Sequence, residues 1–420
     1  MPLLELSLRN AKFPQMSEST IPYSRPTALG NELKYLEQVL SARHFRGDGE
    51  FTKKCNAWLE KTTGTGKALL THSCTAAMEL TALLTDLAPG DEVIMPSFTF
   101  VSTANAVALR GAKPVFVDIR PDTLNLDEKL IEAAITPKTK AIFVVHYAGV
   151  ACEMDTIIKI AKDKKLLVFE DAAQGLLASY KGRALGTLGQ LGSLSFHDTK
   201  NIVSGEGGAL LINDASFAER ADIIREKGTN RAQFFRGQVD KYTWVDIGSS
   251  FLPSEFNAAV LLAQFELAEP TTRERITTWK LYHSDLADAE AKGHINRPTV
   301  PAECQHNGHI YYILCRDLSE RTAMIQHLKS RGISAPFHYV PLHSAPAGLK
   351  FGRTQGQLRQ TESLAERQVR LPLWTGMTEA EVGRVTEAIF EFYQRVLPAN
   401  LSPNLSPTLP PNLVTDRSKS

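Results

Sequence analysis

From about residue 31 the chain alternates between short apolar runs and stretches whose apolar residues recur at helical spacing. The helical period predicts helices over 31–43, 51–61, 75–87, 103–110, 127–135 and 155–164. The short apolar runs at 67–71, 92–95, 114–118, 141–146 and 166–170 predict strands between them. Such alternation predicts an α/β fold, a mostly parallel central sheet covered by helices on both faces. Ligands of these sheets lie beyond the carboxyl ends of the strands, so chemistry is expected there.

After residue 200 the pattern predicts a strand at 209–212 and a helix at 216–227, then a polar, arginine-rich exposed loop over 228–241. A helix over 254–267, continuing toward 288, leads into strands at 309–315 and 333–337 and helices at 320–331 and 378–396. The expected division is an N-terminal extension (1–20), a large domain (21–265), a smaller C-terminal α+β domain (266–397) and a tail (398–420). The tail repeats short Pro/Ser/Leu units that leave no room for a core, which predicts disorder.

Composition narrows the function classes. With 420 residues, 43% of them hydrophobic, the chain is long enough for two domains. A formal net charge of +1 with no basic stripe speaks against nucleic acid or an anionic membrane as partner. Five scattered cysteines without a CxxC pair predict reduced thiols, and argue against a disulfide framework or a metal site. The opening MPLLELSLRN has no basic region followed by a long apolar run, and no stretch approaches a membrane span. A cytoplasmic protein is expected.

Lys200 is the informative residue. It stands between two apolar strands, in Ser195-Phe196-His197-Asp198-Thr199-Lys200-Asn201, ahead of Gly205-Glu206-Gly207-Gly208. Upstream, a strand ends on the acidic pair Glu170-Asp171. An amine and a strand-end carboxylate in this order suit pyridoxal phosphate (PLP) chemistry: the lysine forms a Schiff base with the cofactor aldehyde, and the carboxylate keeps the ring nitrogen protonated. Asp171 could instead cap the following helix; Gln174, one turn further, would face the same way and could reach the ring hydroxyl. Thr71-His72-Ser73-Cys74-Thr75 joins a strand to a helix, whose N-terminus suits a phosphate, although Ser73 or Thr75 could simply be an N-cap. Phe100 could stack on a pyridine ring or be an ordinary core aromatic, and Ser195 could add a hydroxyl to a phosphate. Gly64-Thr65-Gly66-Lys67 lacks the spacing of a P-loop and is set aside.

These residues resemble the DegT/StrS family of nucleotide-sugar aminotransferases. The resemblance rests on the Lys200 and Gly205–Gly208 segments, on Glu170-Asp171-Ala172-Ala173-Gln174, on Gly149, on Pro96-Ser97-Phe98-Thr99-Phe100 and on Pro341-Leu342-His343. It implies the PLP-dependent fold-type-I architecture, with Lys200 and Asp171 as catalytic groups. It further implies Cys74, Thr75, Phe100, Gln174 and Ser195 as cofactor contacts, and His338 and Tyr339 near the sugar. Many members carry a Gly-aromatic-Asn-aromatic-Arg pattern whose asparagine reaches the neighbouring subunit's phosphate. This chain reads Gly248-Ser249-Ser250-Phe251-Leu252, so Ser250 would replace the asparagine and no arginine is left for the donor carboxylate. The implied assembly is a homodimer with shared sites. Within the family the chain is most similar to members that aminate C4 of TDP-4-oxo-6-deoxy-D-glucose with L-glutamate, for enterobacterial common antigen. His197 and Asp198 are expected to be structural. A sugar dehydratase on this fold replaces the lysine by histidine, so Lys200 argues against it; intact Lys200 and Asp171 also argue against a non-catalytic regulator.

Overall fold

The computed structural model describes residues 20–396, so the extension over 1–19 and the tail over 398–420 lie outside the described residues. The chain first lays down β1 (Lys67–Thr71), β2 (Glu92–Pro96), β3 (Lys113–Val117), β4 (Thr139–Val145) and β5 (Leu167–Asp171). Two short strands, β6 (Ser179–Tyr180) and β7 (Arg183–Ala184), precede β8 (Leu191–Ser195) and β9 (Gly208–Ile212). The C-terminal part contributes β10 (Cys304–Gln305), β11 (Tyr311–Leu314), β12 (Arg353–Thr354) and β13 (Gln368–Leu371).

Eight strands form one sheet in the order β1-β9-β8-β5-β4-β2-β3-β12. Only β9 runs against its neighbours, so the sheet is mostly parallel, as its βα alternation predicts. The two-residue side-chain period divides each strand between two cores. Ile142 and Val144 of β4 enter one, with Ile94, Val168 and Leu194; Ala141 and Phe143 enter the other, with Met95, Phe169 and Leu210. Each fully buried Phe, Leu or Val contributes roughly 1.5–3 kcal/mol through area removed from water.

A two-stranded sheet, β11 with β13, stands apart and pairs Tyr312 with Arg370. Val369 and Leu371 point into a third core with Tyr311 and Ile313. Tyr312 and Leu314 turn the other way, against Phe98 and Tyr147 of the large sheet's loops. Helices Leu318–Ser330 and Glu379–Glu391 cover the outer side; Asp317 caps the first by accepting from the Glu320 amide at 2.9 Å, and Thr378 with Glu381 forms a capping box on the second.

Three expectations are corrected. Residues 333–337 are not a strand: only Ile333 bridges, to Ile21, because Pro336 has no amide to donate and the place beside β11 belongs to β13. The loop over 228–241 holds a short helix, Arg231–Phe235. Finally, the last α-helix ends at Glu391 and passes into a π-turn, Phe392–Val396.

Candidate active site

The strand ends β1, β2, β4, β5 and β8 open on one edge, where a cavity of about 540 Å³ meets the C-terminal part. Lys200, Asp171, Gln174, Ser195, Cys74, Thr75, Phe100, His338 and Tyr339 all line it. Ser250 does not: it lies exposed on the loop preceding helix Glu255–Glu266, bridged to Glu226.

Lys200 sits in a turn after β8, its amide donating to His197 O at 2.8 Å. Its Nζ has no hydrogen-bond or ion-pair partner among the described residues. Burial holds the amine below the usual lysine range; the Asp171 charge opposes the shift and the Arg370 charge adds to it. An amine in this state gives up its proton more readily than a solvated one. Because β8 stops at Ser195, strand alternation does not govern His197, which reaches the cavity rim, exposed, with Nδ1 3.1 Å from Thr199 Oγ1.

The acidic pair divides by strand parity. Glu170 is fully buried, accepting from the Leu188, Gly189 and Gly186 amides at 2.6, 2.6 and 2.8 Å and pairing with His146 Nε2 at 2.9 Å. Asp171 faces the cavity. Its Oδ2 accepts from Thr103 Oγ1 at 2.7 Å and its Oδ1 from the Ala173 amide at 3.1 Å. Gln174 accepts the Ala148 amide at 2.6 Å and donates Nε2 to Tyr339 Oη at 3.2 Å. Behind it, Asn307 Nδ2 donates to the Gln174 and Leu176 carbonyls at 2.8 Å each. A Cβ on Gly149, at φ 76°, would stand 2.2 Å from Asn307 Oδ1, so this close approach admits only glycine.

At the other end of the cavity, helix Cys74–Leu84 presents its N-terminus. Ser73 is its N-cap and accepts from the Ala76 amide at 3.1 Å, so the capping reading holds for Ser73. The Cys74 and Thr75 amides remain without intrahelical acceptors. Thr75 Oγ1 lies 2.7 Å from Ser102 Oγ. Gly208 packs against this turn so tightly that a Cβ would fall 2.3 Å from the Cys74 nitrogen. Burial raises the Cys74 thiol well above its usual range, so it remains protonated.

On the C-terminal side, His338 and Tyr339 stack at 4.2 Å. Burial, with Arg370 and Lys200 nearby, pushes His338 down to about 3. Burial pushes Tyr339 up to about 12, which keeps it a phenol. His343 is not part of the lining: its Nδ1 is 2.7 Å from Ser97 Oγ, anchoring the Pro341-Leu342-His343 segment. Sequence reasoning missed Thr103, Tyr23, His309 and Arg370. The signal for Arg370 was a charged residue between apolar neighbours in Gln368-Val369-Arg370-Leu371, which strand parity turns toward the cavity.

A mostly parallel sheet with an unpaired lysine and a fixed carboxylate at its strand ends defines a fold-type-I aminotransferase site. Residues 27–390 match the DegT/DnrJ/EryC1/StrS aminotransferase family, and the chain belongs to it. GDP-perosamine synthase of Caulobacter vibrioides is 32% identical over 376 residues, covering 88% of this chain and 97% of that protein. Among solved structures, the aminotransferase TlmJ from Streptoalloteichus hindustanus superposes with a TM-score of 0.81 at 30% identity, covering 88% of this chain and 97% of its own. Helicobacter pylori PseC, an aminotransferase involved in pseudoaminic acid biosynthesis, gives 0.82 at 25%, covering 89% and 99%.

The protein is therefore a PLP-dependent aminotransferase, and its donor set fits the cofactor. The free amides of a helix N-terminus, closed in by Gly208, suit a phosphate, and a carboxylate anchored by two hydrogen bonds suits a ring nitrogen.

Proposed function

We propose that the enzyme transfers the amino group of L-glutamate to C4 of TDP-4-oxo-6-deoxy-D-glucose. The products are 2-oxoglutarate and TDP-4-amino-4,6-dideoxy-D-galactose, used for a cell-surface polysaccharide of the enterobacterial common antigen type. Transamination rests on one observation, the partnerless Lys200 amine facing a cavity shared with Asp171. The choice of sugar rests on the overall resemblance of the chain, and a relative named for a GDP-linked product supports a nucleotide-linked sugar as the substrate class.

Bound PLP supplies an electron sink for the carbon carrying the transferred nitrogen. Cys74 and Thr75, through their amides, and Ser195 through its hydroxyl would hold the phosphate. Asp171, fixed by Thr103 and the Ala173 amide, would keep a proton on the ring nitrogen. Lys200 Nζ, poised below the ordinary lysine range, would take the α-proton from glutamate and later deliver a proton to sugar C4. Delivery from that one amine would set the configuration at C4. Gln174 would orient the ring hydroxyl, Phe100 would cover the ring, and His338 and Tyr339 would border the sugar.

The working unit in this reading is a homodimer, with Ser250 reaching the partner's phosphate. Phe235, Tyr242, Trp244 and Ile247, on the segment leading to Ser250, are each exposed, which suits a surface covered by a partner. Arg231 and Arg236 turn back onto Glu226 and Asp222 of their own chain, at 3.8 and 3.7 Å. The five cysteines are free, in keeping with a reducing cytoplasm. No helix among the described residues is long and apolar enough to cross a membrane.

Incubating the enzyme with glutamate and a panel of nucleotide 4-keto sugars, with product identification, tests the reading. C4 amination of the TDP sugar is expected, with activity falling roughly thousandfold in Lys200→Ala. Amination of a 3-keto sugar, or a wide preference for a UDP sugar, overturns the sugar assignment and leaves transamination standing.

A further inference from the structure

Arg370 is a buried cation without a counter-ion. It comes from β13, which turns Val369 and Leu371 into the third core and Arg370 toward the cavity. Its Nη1 donates to His338 Nε2 at a long 3.4 Å, its Nε has no partner, and no carboxylate pairs with it among the described residues. The guanidinium lies 5.2 Å from the Tyr23 ring centroid. His338 cannot neutralise it, since an imidazole carries no negative charge; this one is held neutral, with Nδ1 3.2 Å from Tyr147 Oη.

Two other buried arginines show what a structural role looks like here. Arg275 donates to the carbonyls of Gly308, His309 and Leu373 at 3.2, 2.7 and 3.4 Å. Arg225 pairs with Asp48 at 3.0 Å. Arg370 has neither arrangement, and a buried unpaired charge is costly unless something pairs with it.

We propose that Arg370 binds the α-carboxylate of the amino donor, taking the part left open by Leu252 and its neighbours. The inference rests on the transaminase reading above. Its chemical basis is distance along bonds. An α-carboxylate is attached directly to the carbon whose proton Lys200 moves, so its receptor must stand close to that lysine. The pyrophosphate of a nucleotide sugar lies five bonds from C4 and belongs at the cavity mouth. Arg370 is deep, and close enough to Lys200 for its charge to bear on that amine. A guanidinium's planar fork also matches a carboxylate with two hydrogen bonds.

The test is binding of 2-oxoglutarate and of TDP to the PLP-loaded enzyme, by calorimetry, in wild type, Arg370→Lys and Arg370→Gln. Arg370→Gln should weaken 2-oxoglutarate by about 10- to 100-fold, as expected for losing charged hydrogen bonds, with Arg370→Lys intermediate and TDP affinity unchanged in both. Loss of TDP affinity with 2-oxoglutarate binding intact would assign Arg370 to the pyrophosphate and overturn the proposal, as would equal 2-oxoglutarate binding by all three proteins. A wild-type enzyme that neither binds 2-oxoglutarate nor is converted by glutamate to its pyridoxamine form removes glutamate as donor, which is a failure of the underlying reading. If neither variant folds, a wild-type crystal structure with glutarate decides: a carboxylate on Arg370 supports the proposal, and one elsewhere overturns it.

Discussion

Thr103 Oγ1 donates to Asp171 Oδ2 at 2.7 Å, from the helix Val101–Ala108 that follows β2 to the carboxylate that closes β5. Two strand ends therefore cooperate to aim one acid. Asp171→Asn should retain PLP but turn over roughly 100-fold more slowly, because a neutral amide cannot hold a ring proton. Thr103→Val removes a single hydrogen bond and should cost about 2- to 10-fold in kcat, with KM little changed. A normal rate in Asp171→Asn, measured under single-turnover conditions, would reduce Asp171 to a helix cap.

The lowered pKa of Lys200 has a pH signature. In the cofactor-free protein the unfolded chain holds the lysine proton to higher pH than the folded chain does. Stability should therefore rise with pH through the window below the ordinary lysine value of 10.5. Capture of added PLP, followed by its absorbance, should likewise reach half its maximal rate below that value. Burial is the main cause, with Arg370 adding to it, so Arg370→Gln should move the midpoint upward.

Shared sites can be read by complementation. Lys200→Ala and Ser250→Trp chains, each inactive alone, should regain partial activity when unfolded and refolded together. One site of each mixed dimer then contains an intact lysine and an intact serine. Sedimentation showing a fully active monomer would rule the arrangement out.

Glu170 supports the site from behind. Its fully buried carboxylate satisfies three backbone amides and His146, so Glu170→Ala strands several donors at once. The variant should lose at least about 3 kcal/mol of unfolding free energy, measured by urea titration. An unchanged midpoint would mean that water replaces the carboxylate.

The sequence alone determined the α/β alternation, the strand ends and the local motifs on them. Side-chain period and turn chemistry act over a few residues, and Lys200, Asp171, Gln174 and the Ser73–Thr75 turn lie within such stretches. It singled out Asp171 but not what Glu170 does, because the partners of Glu170 come from His146 and from the amides near Gly186, on other segments. It placed a strand at 333–337 and overlooked β13, since pairing between distant segments decides which apolar run completes a sheet. Arg370, Tyr23 and His309 come together only when the C-terminal part folds back over the strand ends. Local sequence carries no mark of that meeting, because the energy holding it is spread over contacts between residues far apart in the chain.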